Sequence, residues 1–407
     1  MSNIIQIIAS AIRKNQDNLF NFFTQKFHNN PAIFYSSLDV RRSSFKIAPV
    51  DANCFPAGFN NLSKQGLLEA NKMLDIFFSQ QQHYSKILII TENHSRNIHY
   101  LENLAVLEHL LSGYGEVYMA NWQLEQEQIF TINLPNLALE KELKIWPLLV
   151  VNNFLTIPVL DFTPNLVILN NDLTAGLPKI FLNLKQPIIP SQNFGWYQRS
   201  KNNHFNHYNL LAQQVAEILN IDAWLLSTYH DFATNIDFKH KLGLEDLAKK
   251  TQILLNKIKQ KYQQYNINEQ PYCYLKADNG TYGMAVWPVF EPEEILHINK
   301  KERNKMHMLK NSVENHNIIL QEGVVTADFV DSAPSEIVLY LMCGKIIDSF
   351  LRINKSRNSS NSLNAVGSEF LSVLQLPKQH FLQQNDNDLN LVTQLIAKIS
   401  SLAIAYE

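Results

Sequence analysis

The sequence predicts a mixed architecture, α/β in its first half and α+β in its second. Three observations carry this. Strand–loop–helix alternation runs over residues 85–180, as a parallel sheet requires. Its strands read as continuous apolar runs, Lys86-Ile-Leu-Ile-Ile-Thr91 and Leu166-Val-Ile-Leu169, the pattern of strands buried on both faces. Later, Glu336–Met342 and Ile346–Ile353 flank Cys343-Gly344-Lys345 as an antiparallel hairpin. At 407 residues the chain exceeds one small core, so two or three packed subdomains are expected.

The elements follow in order. Residues 1–30 are predicted helical, with Phe20, Phe22, Phe23 and Phe27 offering a core face. The apolar start, Asn3–Ile12, is too short to span a bilayer and lacks a basic leader, so it reads as an amphipathic helix. No other segment reads as long and apolar enough to cross a membrane. Tyr35–Leu62 alternates charge and then turns rich in Pro, Gly and Asn. Its polar side chains either bind a ligand or cap their own backbone. Helices are expected over 64–81, 98–112, 208–219, 244–265 and 389–405, a further strand over Leu148–Phe154, and a polar loop over Gln383–Asp388. The basic run Lys300–Lys305 reads as a solvated helix face.

Composition narrows the function. A formal charge of −2 offers no electrostatic case for nucleic acid or an anionic membrane. Three distant cysteines without a CxxC argue against a disulfide framework or a structural zinc site, and for a reducing cytosol. Thirteen histidines include no HExxH-type spacing.

Polar side chains gather where strands end. Lys86–Thr91 opens into Glu92, Asn93 and Arg96, and Leu166–Leu169 into Asn171 and Asp172. Open α/β sheets bind ligands at such ends. Lys201 and His204 stand in the polar stretch before the 208–219 helix. Lys276-Ala-Asp-Asn-Gly-Thr-Tyr-Gly-Met284 follows the strand Tyr272–Leu275 and precedes the strand Ala-Val-Trp287. Glycines at such a turn admit backbone N–H groups close to an anion, and a lysine beside them supplies charge. An ordinary glycine hairpin would look the same locally.

Order adds specificity. A lysine–glycine turn, a strand closing on Gln321-Glu322-Gly323, and Arg352 ahead of a loop carrying Asn364 and Gly367 resemble, in that order, the ATP-grasp enzymes. The blocks FKIAPVDANCFPAGFNN, TENHSRN, LNNDLTAG, SKNNHF, KADNGTYGM and IILQEGV resemble more closely the bacterial glutamate–cysteine ligase family related to ATP-grasp enzymes. The resemblance implies a pre-ATP-grasp α/β domain over 1–190, an ATP-grasp lid lobe with its helical segment over 191–315, and a C-terminal lobe over 316–407. It implies a cytoplasmic ligase joining the γ-carboxylate of glutamate to the amine of cysteine through an acyl phosphate, with ATP and Mg²⁺. Lys276, Asn279, Gly280, Thr281, Tyr282, Gly283, Gln321, Glu322, Gly323 and Asn364 would hold the nucleotide. Arg352 and Lys276 would serve the chemistry. Asp51, Asn53, Asn60, Asn61, Glu92, Asn93, Arg96, Asn171, Asp172, Lys201 and His204 would bind the amino acids. The late loop Asn361-Ser-Leu-Asn364 lacks the acidic-x-Asn pair by which this superfamily holds Mg²⁺, so metal ligands are unknown. Cys54 is expected not to be a nucleophile. The alternatives are a related ligase with another acceptor amine, as in glutathione synthesis, and a catalytically inactive nucleotide-binding relative.

Overall fold

Apolar spacing sets the N-terminus. Ile4, Ile5, Ile8, Ala9 and Ile12 bury one face of α1 (Ile4–Lys14), and α2 (Gln16–Asn29) follows beyond Asn15. The structure, a computed structural model, describes residues 4–81, 84–93, 97–134, 141–280, 284–308, 314–372 and 387–407. The predicted loop over Gln383–Asp388 lies outside them up to residue 386; Asn387 and Asp388 begin the last helix.

The next stretch departs from expectation. Residues read as a polar loop form two strands, β1 (Tyr35–Arg42) and β2 (Ile47–Asn53). Leu38 and Val40 enter the core, which turns Asp39 and Arg41 to the opposite face. α3 (Lys64–Gln80) is capped by the Ser63 hydroxyl, which accepts from the Gly66 N–H. β3 (Lys86–Thr91), α4 (Ile98–Leu111), β4 (Glu116–Asn121), β5 (Phe130–Leu134) and β6 (Lys141–Pro147) continue the alternation. The expected strand over Leu148–Phe154 is instead broken into a small hairpin, β7 (Leu149–Val151) and β8 (Phe154–Thr156). Asn152 and Asn153 between them both take positive φ, as a tight primed turn demands. β9 (Leu166–Asn170) and the short β10 (Ile188–Ile189) complete this half.

α5 (Lys201–Leu219) starts a full two turns before its predicted position, because Ser200 caps it by accepting from the Asn203 N–H. β11 (His230–Ala233), α6 (Leu244–Gln264), β12 (Cys273–Ala277), β13 (Val286–Val289), α7 (Glu293–Leu296), α8 (Lys300–His307) and β14 (Ile318–Glu322) follow. β15 (Phe329–Val330), β16 (Ala333–Met342), β17 (Lys345–Ile353), β18 (Glu369–Ser372) and α9 (Asn387–Ala405) end the chain. α9 corrects one expectation: it is long and apolar enough by length and composition to cross a bilayer. Yet 67% of its apolar window is buried inside the protein, against α1 and α5, so it serves as a core helix.

Three main sheets result. The first runs β10-β9-β3-β4-β6-β5, parallel except where β5 meets β6. The second is antiparallel, β11-β14-β12-β13. The third is antiparallel, β18-β17-β16-β1-β2, with β15 added on β16. It therefore joins strands from both ends of the chain.

Candidate active site

One face of the third sheet floors a cleft. Alternation brings Phe370, Arg352, Glu336, Val338, Tyr340, Asp39 and Asp51 onto that face. Above the floor lie two cavities, one of about 280 Å³ and one of about 40 Å³. Asp39, Asp51, Gly280 and Asn364 line both, so the two are neighbouring compartments. The larger is walled by Glu92, Asn170 and Asp172, at the C-terminal ends of β3 and β9, and by Tyr100 of α4. The smaller is walled by Tyr274 and Lys276 of β12, with Lys201 and Arg41.

The charges of the floor interlock. Arg352 Nη1 donates to Asp39 Oδ2 at 2.5 Å and to Glu336 Oε1 at 2.6 Å. Arg41 Nε donates to Glu336 Oε2 at 2.8 Å, and its Nη1 to the Tyr274 hydroxyl at 3.0 Å. Lys201 Nζ donates to Asp51 Oδ1 at 2.6 Å and stands over the Trp196 ring. Lys276 differs from these cations. Its ammonium is held by neutral acceptors, Val50 O at 2.8 Å and Gln321 Oε1 at 2.7 Å, and among the described residues no carboxylate pairs with it. Burial pushes its pKa down to about 8; Asp51 works against this, while Lys201 and Arg41 add to it. An anion entering the small cavity would relieve that cost.

The sequence-predicted residues divide. Asp51, Asn53, Asn61, Glu92, Asp172, Lys201, Lys276, Gly280, Arg352 and Asn364 line one cavity or both. Asn53 also closes its own turn, accepting from the Phe55 N–H. Asn60, Asn93, Asn171, Asn279 and His204 line neither. Asn60 donates to Glu102, and Asn171 to the Thr91 carbonyl. Asn93 is exposed. His204 Nδ1 lies 2.6 Å from Glu407 Oε1, beside Arg199, which donates to the same carboxylate and to the Ala52 carbonyl. Gln321 acts on the site through Lys276. The Glu322 carboxylate is held in the interior by Lys46, Trp224 and the Tyr229 N–H. Gly323 packs under Tyr272, where a Cβ would stand 2.2 Å from the ring. Arg96, Thr281, Tyr282 and Gly283 lie outside the described residues.

Sequence reasoning missed Asp39, Arg41, Glu336 and Tyr274. The signal for the first two was present: charged residues two apart, alternating with Leu38 and Val40, share one face of a strand. Glu336 carries no local signal; only its pairing with Arg352 across β16 and β17 gives it meaning.

Residues 9–407 match the model of the family described as GshA: Glutamate-cysteine ligase. Among solved structures, one from Methylobacillus flagellatus KT, described as a candidate gamma-glutamylcysteine synthetase, superposes with a TM-score of 0.88 at 30% identity, covering 100% of this chain and 96% of that one. The D-alanyl-alanine synthetase A of Vibrio cholerae O1 biovar eltor str. N16961 aligns at a TM-score of 0.39 and 13% identity, over 78% of this chain and 81% of that one, too weakly to carry an argument. No curated protein matches.

Proposed function

The chain belongs to the glutamate–cysteine ligase family, and from that premise we propose how its cleft forms γ-glutamylcysteine. The observation that carries the proposal is Lys276, a buried ammonium without a carboxylate partner among the described residues, in a small cavity that adjoins a larger one lined by carboxylates and amides. The small cavity takes the phosphates of ATP, with Lys276, Gly280 and Asn364 around them. The larger cavity takes the amino acids. Its carboxylates, Glu92 and Asp172, suit an α-ammonium, and Asn53 and Asn61 offer amides to an α-carboxylate.

The γ-carboxylate of glutamate attacks the terminal phosphorus, giving an acyl phosphate and ADP. The amine of cysteine then displaces phosphate. Phosphoryl transfer asks the protein for positioning and neutralisation of charge, which Lys276 supplies. Arg352 lines the larger compartment and holds Asp39 at its boundary with the smaller, and its guanidinium stabilises the oxyanion formed on amine attack.

Mg²⁺ accompanies ATP in this reading. Among the described residues no group of three His, Cys, Asp or Glu side chains could hold a metal ion, and the cleft acids Asp39, Asp51 and Glu336 are each tied to a cation. The described residues therefore offer no ready set of ligands for the ion. An ATP-grasp organisation, with boundaries near residues 190 and 315 and β1–β2 contributed to the C-terminal lobe's sheet, belongs to the same proposal. So does a cytoplasmic location, which the free Cys54, Cys273 and Cys343 support.

The test is phosphate release from ATP with glutamate and a series of amines. Release with cysteine is expected. Release only with a dipeptide would favour a glutathione-synthetase-like ligase, and the absence of release with every amine an inactive nucleotide-binding relative.

A further inference from the structure

Two carboxylates in the cleft are set apart by position. Asp39 and Asp51 are cross-strand partners on β1 and β2, and both reach the boundary of the two cavities. An acyl phosphate formed between nucleotide and amino-acid compartments meets its attacking amine at that boundary. The amine arrives as an ammonium and must lose a proton before it can attack.

The two acids are held in different ways. Burial acts to raise the Asp51 carboxyl, but Lys201 and Lys276 outweigh it and keep it below the ordinary range. It stays ionised as the partner of Lys201. Asp39 accepts from Arg352 through Oδ2 only; among the described residues its Oδ1 accepts no hydrogen bond. Burial lifts its carboxyl above the ordinary value, Arg352 opposes this, and Glu336 and Asp51 push the same way as burial. Other charged and titratable groups stand around it: Arg41 on its own strand, Tyr340 on β16, and Lys276 and Lys201 on the wall of the small cavity. Neighbouring acids driven apart in this way divide into a fixed charge and a proton acceptor.

We propose that Asp39 is the general base that takes a proton from the acceptor ammonium, an assignment that rests on the ligase reading above. Asp39 Oδ1 receives one N–H proton. The freed amine attacks the acyl carbon, the C–N bond forms, and the bond from that carbon to the phosphate oxygen breaks with its electron pair leaving on phosphate. The second proton lost from nitrogen goes to the departing phosphate. Arg352 holds the other oxygen of Asp39, so the base is fixed in place while its acceptor edge faces the cleft.

Hydroxylamine tests this, because it is unprotonated at neutral pH and needs no base. With glutamate and ATP the wild-type protein should make the hydroxamate. Asp39→Asn should lower cysteine-dependent turnover by about 10²–10⁴-fold while hydroxamate formation falls by less than about tenfold. Equal loss with both nucleophiles, or no loss with either, overturns the assignment. The wild-type pH profiles give a second reading that needs no variant. After correction for each amine's own ionisation, the acid limb of kcat/KM seen with cysteine should be missing with hydroxylamine; a limb shared by both overturns the proposal. A wild-type protein that forms no hydroxamate at all would instead sink the ligase reading.

Discussion

Two buried clusters in this protein use the same kinds of side chain and reach opposite ends. Around Glu322, Lys46 Nζ and Trp224 Nε1 each donate to Oε1 at 2.9 Å, and the Tyr229 N–H donates to Oε2 at 2.9 Å. Lys46 lies over the Trp224 ring, which stacks between Phe45 and Tyr265, and neither Lys46 nor Glu322 reaches solvent. On the cleft floor, Arg352 and Asp39 are also paired, but Arg352 Nε and Asp39 Oδ1 have no hydrogen-bond partner among the described residues, and the pair borders a cavity. A polar cluster that is fully satisfied specifies structure; one left short of partners beside a cavity has capacity for a ligand.

The contrast can be broken at several points. Lys46→Met should have the largest effect, about 3–5 kcal/mol of lost stability, because it strands the Glu322 charge in the interior. Urea unfolding measures it, and a loss below about 1 kcal/mol would show that the closed cluster is not structural. Arg352→Lys keeps a charge against Asp39 and Glu336 but loses the planar fork. It should lower turnover by about 10²–10³-fold with little change in ATP affinity or melting temperature. A variant that melts early yet turns over normally would move Arg352 into the first class.

A third carboxylate sharpens the comparison through pH. Burial acts to raise the Glu407 carboxyl, but Arg199 and His204 overcome it and hold it at about 2. Its folded value lies below its unfolded one, so its stabilisation is complete above the ordinary glutamate range and is lost as pH falls toward 2. The contribution is about 3 kcal/mol. Glu407→Gln should be less stable at neutral pH and flatter in that acid window, and a slope equal to wild type would assign the acid sensitivity elsewhere. Cys54→Ser should matter least. Burial pushes the Cys54 thiol up to about 12, so no thiolate is at hand, and activity should survive with about 1 kcal/mol of stability lost. An acyl group captured on Cys54 would overturn the mechanism.

Legibility in the sequence followed burial. The parallel strands Lys86–Thr91 and Leu166–Asn170 were readable because both faces are apolar. The β1–β2 hairpin was not, because its second face lines a cleft instead of solvent or core, and an alternating run of Asp39, Arg41 and Asp51 then resembles a polar loop. Lys276 was found from its glycine turn, yet the reason it matters, an ammonium held by neutral acceptors, exists only once Val50 and Gln321 converge on it. Glu322 was marked by its place at a strand end, and nothing local reveals that Lys46 and Trp224 already occupy it.

The floor sheet has a bearing on how the molecule is made. Asp39 pairs with Val338, and β17 and β18 lie beyond that partner. During synthesis β1 and β2 leave the ribosome early, but the strand they dock on is among the last to arrive. The hairpin must therefore wait through most of translation with an unpaired edge, and its loop-closure entropy is met late. A truncated or stalled chain can complete the parallel sheet, yet it cannot assemble the floor on which Asp39, Arg352 and Glu336 meet. Competence for turnover should thus appear in one step once β16 and β17 are made, which makes every product lacking them catalytically silent and leaves the waiting edge as the place where misassociation would begin.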